Sequence, residues 1–336
     1  EGLQGPIELA LAIHSDAGYS TDFKSLVGSL AVCTTDFNDG KLNAGISRMT
    51  SKDFASTLLN NVVKDLLYKY KNWPKRYLWD RNYSETRLPA MPSAILETMS
   101  HQNFPDMIMG QDPNFKFTLA RSIYKTILKY IAKQHNKSYT VTPLTPTNFS
   151  IEFLTKNKIR LSWKAQNDSQ EPSAVPETFN IYTSIGNSSF DNGVNTGNNS
   201  FIMKLEPGIQ YNFKIAACNK GGESFPTETL SAYYNPNATK TILIVNGFYR
   251  LSAPAIVETD STQGFDLNKD IGLTYGLTAG WNGRQLYFDK SRLGIEGEGG
   301  LGDSGDELAG HFIAGNDFNY TVTHVGAIAH TQKYNV

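Results

Sequence analysis

The sequence predicts a multidomain chain: a partial α/β segment over residues 1–138, an all-β sandwich over 139–236 and a further, partial α/β segment over 237–336. Three observations predict it. The length of 336 residues exceeds one ordinary core and suits two or three domains of roughly 100 to 150 residues each. The hydrophobic period changes along the chain, from mixed helical and strand patterns to short alternating runs. Proline and polar turn clusters mark the change, with Pro143 and Pro146 reading as a linker.

In the first segment, Ile7 to Ile13 is a nearly continuous apolar run and suits a strand buried on both faces of a sheet. From Ser51 to Tyr70, apolar side chains recur at Phe54, Leu58, Val62 and Leu66, which predicts an amphipathic helix with Ser51 as its N-cap. Ser93 to Leu96, after Pro92, is a second short strand. Phe117 to Ile131 repeats the helical spacing through Leu119, Ile123, Ile127 and Ile131. Strand, helix, strand, helix is the order of a layered α/β domain.

The second segment alternates. Ile159-Arg160-Leu161-Ser162-Trp163 and Tyr211-Asn212-Phe213-Lys214-Ile215-Ala216-Ala217 place every other side chain inward, with turn residues between the runs. Trp163 sits on an early strand, Leu205-Glu206-Pro207-Gly208-Ile209-Gln210-Tyr211 has the form of a tyrosine corner, and Asn219-Lys220-Gly221-Gly222-Glu223-Ser224 follows as a turn. With these features the segment resembles a fibronectin type III domain, which implies a spacer or binding platform without a catalytic group.

The third segment opens on Thr241-Ile242-Leu243-Ile244-Val245-Asn246-Gly247-Phe248, read as the first strand of another α/β domain with its turn at the end where such sheets place ligands. Gly294 to Gly310 is Gly-rich and acidic, a loop by composition. Its Asp303, Asp306 and Glu307 have the oxygen ligands that calcium takes but not the spacing of an ordered calcium loop. The sequence reads as cut at both ends: no initiator Met precedes Glu1, and too few α/β repeats follow before Val336 to close a domain.

Charge and composition exclude some classes. Lys plus Arg number 31 against 32 acidic residues, a formal net charge of -1 with no basic block, so electrostatic binding to nucleic acid or an anionic membrane is not expected. No apolar run approaches the roughly 20 residues of a membrane span. Cys33 and Cys218 fall in different segments, and a bridge between them is not expected. Neither a phosphate-cradling Gly-Lys-Thr loop nor a Gly-x-Ser-x-Gly nucleophile turn is present.

Two strand ends carry candidate chemistry. In Leu11-Ala12-Ile13-His14-Ser15-Asp16-Ala17-Gly18, a histidine stands where an apolar strand gives way to small residues. There an imidazole can bind zinc through one nitrogen while a carboxylate or carbonyl orients the other; the bland alternative is a structural histidine. In Met91-Pro92-Ser93-Ala94-Ile95-Leu96-Glu97-Thr98 a short strand delivers a carboxylate. A carboxylate beside an activated water can take its proton and return it to a leaving nitrogen; the alternative is a surface glutamate. His101, four residues past Glu97, reads as a substrate-binding group, a substitute ligand or a hydrogen-bonded loop histidine. Arg48, Trp79, Asp80, Arg81, Tyr83, Glu85 and Arg87 form a polar and aromatic group of the kind that glycan and peptide grooves use; the alternative is a solvated surface. His135, His311, His324 and His330 show no ligand-like spacing.

Taken together, Ile13-His14-Ser15-Asp16 and Pro92-Ser93-Ala94-Ile95-Leu96-Glu97-Thr98, followed by Asn103, Asp106, Asp112-Pro113 and a closing helix, resemble the zinc-dependent N-acetylmuramoyl-L-alanine amidases over residues 7 to 135. The whole arrangement resembles multidomain Bacteroidetes-type cell-envelope proteins often labelled xanthan lyase. The resemblance implies His14 as a zinc ligand and Glu97 as the catalytic general base and then acid; beside them Asp16, Arg87 and His101 are read, from their positions, as substrate-binding residues. It implies peptidoglycan, or another glycan, as partner and a periplasmic or extracellular place in the cell envelope. Such amidases hold zinc with three protein ligands, and two of them are expected upstream of residue 1, so this segment is expected to bind zinc poorly. Two rival readings stand beside it: a non-catalytic glycan-binding or scaffold module, and an extracellular polysaccharide lyase or glycosidase, which would need two carboxylates flanking a sugar bond.

Overall fold

The computed structural model describes residues 7–18, 20, 22, 24–247, 255–266, 284–289 and 320–336. They fall into two compact units, one drawn from 1–137 and 251–316 and the other from 138–250 and 317–336. The chain is multidomain, with a β-sandwich and mixed α/β segments.

The first unit begins with β1 (Ala10–Asp16) and β2 (Ser29–Cys33), followed by α1 (Met49–Tyr70), β3 (Lys75–Asp80), the short α2 (Ser84–Arg87), β4 (Ser93–Ser100), α3 (Phe104–Gln111) and α4 (Pro113–Gln134). The four strands make one mixed sheet in the order β1-β4-β2-β3. β1 runs parallel to β4 and β2 to β3, while β2 and β4 are antiparallel. Because side chains alternate across a strand, the sheet has two distinct faces. Ala31, Cys33, Ala94 and Leu96 point to the helices, where Phe54, Leu58, Val62, Leu66 and Phe115 close the core. Ala12, Leu30, Val32, Trp79 and Ile95 cluster on the opposite face.

Both helices form where their spacing predicts them, with one correction at the start of α1. Ser51 lies inside the helix, buried, and its Oγ accepts from Ser93 N at 3.1 Å; the residue at the N-cap is Arg48, which makes no side-chain cap. α4 starts on a stronger signal: Asp112 accepts from Asn114 N at 2.8 Å, and Pro113 follows at the first helical position, where its missing N–H costs nothing. β1 also differs from expectation. It is an edge strand, and Ile13 is 57% exposed rather than buried on both faces. A continuous apolar run does not distinguish a central strand from an edge strand whose one apolar face meets a helix layer.

The remaining described part of this unit is an antiparallel three-stranded sheet. In sequence it follows the strands of the second unit, β5 (Thr147–Thr155), β6 (Lys158–Lys164), β7 (Thr178–Ile185), β8 (Val194–Thr196), β9 (Ser200–Lys204), β10 (Gln210–Asn219), β11 (Gly222–Glu223) and β12 (Leu230–Tyr233). The small sheet is β13 (Ile256–Glu258), β14 (Thr262–Asp266) and β15 (Arg284–Asp289), and Phe265 of β14 packs on Phe104 with ring centroids 5.0 Å apart.

In the second unit a three-stranded sheet, β5-β6-β9, faces a five-stranded one in which β11-β10-β7-β8 are joined by β12 on β10. Ile159, Leu161, Trp163, Phe179, Phe213 and Ile215 fill the space between them. The expected corner is present: Tyr211 Oη accepts from Glu206 N at 3.4 Å. α5 (Tyr320–Ala329) packs through Val325 against Tyr233 and Val336.

The strand expected from Thr241 does not form. Thr241 makes a single bridge to Asn335, and residues 242–247 run without a partner strand, leaving Leu243 and Val245 79% and 77% exposed. An apolar run becomes a strand only where a neighbour supplies its hydrogen bonds. The Gly-rich stretch Gly294 to Gly310, with Asp303, Asp306 and Glu307, and His311 lie outside the described residues.

Candidate functional site

The two predicted strand ends meet. In the parallel pairing of β1 and β4, His14 stands directly opposite Glu97, and both lie two residues beyond Ala12 and Ile95 on the face away from the helices. The imidazole bridges two carboxylates: Nε2 lies 2.9 Å from Glu85 Oε1 of α2, and Nδ1 lies 3.7 Å from Glu97 Oε1. The two acids differ in surroundings. Glu85 is 43% exposed, whereas Glu97 is only 13% exposed, and its Oε2 is buried without a hydrogen-bond partner. Burial pushes the Glu97 carboxyl up from its usual range, and the negative charge of Asp16 adds to the shift.

Asp16 ends β1 beside this pair. Arg76 Nη1 donates to its two oxygens at 2.7 and 2.6 Å. Burial nevertheless raises the Asp16 carboxyl, outweighing the Arg76 bonds that pull it down. His101 borders the same corner, with its backbone N donating to Asp16 O at 3.0 Å and Nδ1 3.2 Å from Ser15 Oγ. Arg87 is not brought to His14 or Glu97: it donates to Asn82 Oδ1 at 3.0 Å and lies over Phe37 at 5.6 Å.

The frame around the site is fixed by buried polar groups. Thr98 Oγ1 donates to His14 O at 2.8 Å, tying β4 to β1 at the level of the pair. Asp106, fully buried, accepts from Val27 N, Gly28 N, Ser100 N and Asn103 Nδ2 at 2.8 to 3.0 Å, which makes it a clamp on the end of β4 rather than a substrate group. Arg48 is buried too, and donates to the carbonyls of Phe37, Lys41, Thr86 and Arg87; it holds α2, and with it Glu85, and is not part of a binding surface. Cys33 takes no part: burial pushes its thiol up to about 11, so the nucleophilic thiolate is suppressed.

Arg76 is the site residue that sequence reasoning missed. Its signal was faint, a basic residue in the alternating run Lys75-Arg76-Tyr77-Leu78-Trp79 of β3. The Glu85–His14 contact was equally hidden, because nothing in a sequence shows that a one-turn helix folds over the end of a strand 71 residues earlier.

A catalytic zinc centre takes three protein ligands. Among the described residues no group of three or more His, Cys, Asp or Glu side chains converges to hold a metal ion. His14 offers one nitrogen to such an ion, and that nitrogen is engaged by Glu85. The described residues do not complete a zinc centre.

Comparison with known proteins identifies the sandwich. Residues 144–233 match the fibronectin type III domain. Similar solved structures include the twitchin kinase region from C. elegans (23% identity, TM-score 0.26, over 29% of this chain and 17% of that one). They also include a myokine structure (20% identity, TM-score 0.24, 28% and 99%) and the fourth fibronectin III domain of a human protein (16% identity, TM-score 0.26, 32% and 87%). The chain thus spans less than a fifth of the twitchin chain. No curated protein matches it. Among the described residues no helix is long and apolar enough to cross a membrane.

Proposed function

We propose that the first unit carries a hydrolytic site and that the intact protein cleaves the amide between N-acetylmuramic acid and L-alanine in peptidoglycan, with the fibronectin type III domain as a spacer or binding module. The observation that carries this reading is Glu97: a nearly buried carboxylate with one unpartnered oxygen, its pKa raised, cross-strand from an imidazole. A raised carboxyl is poised to act in both directions. Ionised, Glu97 takes the proton of an attacking water; protonated, it returns that proton to the leaving amide nitrogen. His14, held between Glu85 and Glu97, orients the water or the carbonyl, and the Arg76-bonded Asp16 keeps the Glu97 proton affinity high by like charge.

Zinc enters this reading through the resemblance alone, which gives His14 as its ligand in this segment. The same reading puts the protein in the cell envelope, periplasmic or extracellular. The test is peptide release from peptidoglycan by the intact protein, with and without added zinc, compared with Glu97→Gln. Loss of release on the order of a hundredfold or more is expected; unchanged release in Glu97→Gln would sink the assignment.

A second reading is a non-catalytic module that holds glycan on the same face of the sheet, with no need of a metal. Stoichiometric glycan binding with no amide cleavage by the intact protein, whether or not zinc is added, would establish it in place of the first.

A further inference from the structure

The aromatic and basic residues of β3 and the turn after it form a wall beside the candidate site, and most of their neighbours in sequence are already engaged. Arg48 is buried, Asp80 accepts from Thr35 N and Oγ1, and Glu85 is held by His14. What remains is Tyr77, Trp79, Arg81 and Tyr83. Tyr77 meets the Trp79 ring edge-on at 5.8 Å, Tyr83 approaches it from another side at 6.5 Å, and the Arg81 guanidinium lies over it at 4.6 Å. Trp79 is anchored below on Leu30, Val32 and Ile95. The two tyrosines stay open, 49% and 43% exposed. Among the described residues no carboxylate pairs with Arg81.

Register places this wall relative to Glu97. Leu30 of β2 faces Glu97 on one side, and on the other it faces Arg76 and Tyr77, where the β2–β3 register slips between Ser29–Lys75 and Ala31–Leu78. Neighbouring strands lie about 4.8 Å apart, so the Tyr77 backbone stands roughly 10 Å across the sheet from Glu97. Arg76 links the two ends, bonding Asp16 while its guanidinium lies 5.5 Å over the Tyr77 ring. A ligand at Glu97 longer than one sugar unit is long enough to reach this wall.

We infer that Tyr77, Trp79, Arg81 and Tyr83 form a glycan subsite for a pyranose chain that carries carboxylates. The inference rests on the hydrolytic reading for the choice of glycan, but not for the subsite itself. Exposed aromatic rings offer flat apolar faces to the C–H faces of sugar rings at low entropic cost, with a hydroxyl at the rim for sugar oxygens. Arg81 adds an unpaired cation with a fork suited to a carboxylate. From Lys75 to Arg87 the segment holds Lys75, Arg76, Arg81 and Arg87 against Asp80 and Glu85; Arg76 is paired with Asp16, and Arg81 is the cation that stands in the wall itself. Its guanidinium suits a carboxylate-bearing glycan.

The test is a binding titration on the full chain in the Glu97→Gln background, so that turnover is removed and binding is read alone. The probes are a muropeptide, which carries carboxylates, and a neutral chitooligosaccharide, followed by tryptophan fluorescence and calorimetry. Tyr77→Ala and Tyr83→Ala are each expected to weaken both probes by about tenfold, the scale of a lost aromatic anchor. Tyr83→Phe, which keeps the ring, is expected to retain binding and guards against a folding artefact. Arg81→Gln is expected to weaken the muropeptide alone and to remove the salt dependence of its binding. Unchanged affinity in both tyrosine variants, or no binding of either probe, would overturn the subsite. If the probes bind as expected while the intact protein cleaves no amide, the hydrolytic reading fails and the subsite stands. If cleavage is found with unchanged KM in Tyr77→Ala and Tyr83→Ala, the reverse holds.

Discussion

Glu97 joins most of the chemistry at the level of single residues, because one side chain is at once buried, charged and only half satisfied. Burial holds its folded carboxyl above the usual value near 4.5. The folded state therefore takes up the proton more readily than the unfolded chain, and stability falls as pH rises from about 4.5 through the folded value. Glu97→Gln removes that penalty. Denaturant unfolding should show the variant no more stable than the parent at about pH 4 and more stable at about pH 8, and equal stability at both would mean that Glu97 is solvated. In catalysis the same shift sets the acid limb of the rate profile, since the base must be ionised to accept a proton. Asp16→Asn takes away a like charge and leaves Arg76 uncompensated, and both effects lower the Glu97 pKa. The acid limb of kcat/KM should then move to lower pH in Asp16→Asn; a limb that stays in place separates Asp16 from the site.

The elements show how the site is held and how much of it could be read beforehand. α1 and α4 were legible because a four-residue apolar period admits only one backbone. β4 was legible because Pro92 sets its start and turn-forming residues follow it. The cross-strand pairing of His14 with Glu97 lies in the register of β1 and β4, which no strand pattern records. Edge position was not legible for β1, because the pattern of a strand records its faces and not its neighbours. Nor was the run from Thr241, whose apolar residues found no sheet. The polar clamp was hidden for a different reason: Asp106 and Gly28 gain their roles only from three-dimensional contact. Gly28 has φ +80°, and a Cβ there would sit 2.1 Å from Pro74 O. Gly28→Ala should cost more than about 2 kcal/mol. Asp106→Ala strands several buried donors and should cost about 3 kcal/mol. Thermal unfolding measures both, and a near-neutral result for either would show that the loop before β2 is not fixed as described.

At the scale of the whole molecule, the chain forms two compact units with separate cores. The sandwich is a fibronectin type III domain and its corner is local, so Tyr211→Phe should lower its stability by about 0.5–1 kcal/mol and leave the pH dependence set by Glu97 untouched. Calorimetry of the full chain should place the two effects in different transitions; a single transition shifted by both variants would tie the cores together. Among the described residues the candidate site is built within the first unit, on the face of its sheet away from the helices. The most direct test of the hydrolytic reading is product analysis of peptidoglycan treated with the intact protein and with Glu97→Gln. Released peptides with new amino-terminal alanine, no new reducing ends, and loss of that release in the variant are expected. New reducing ends or unsaturated sugars without freed peptide, or equal release by both proteins, would contradict that reading.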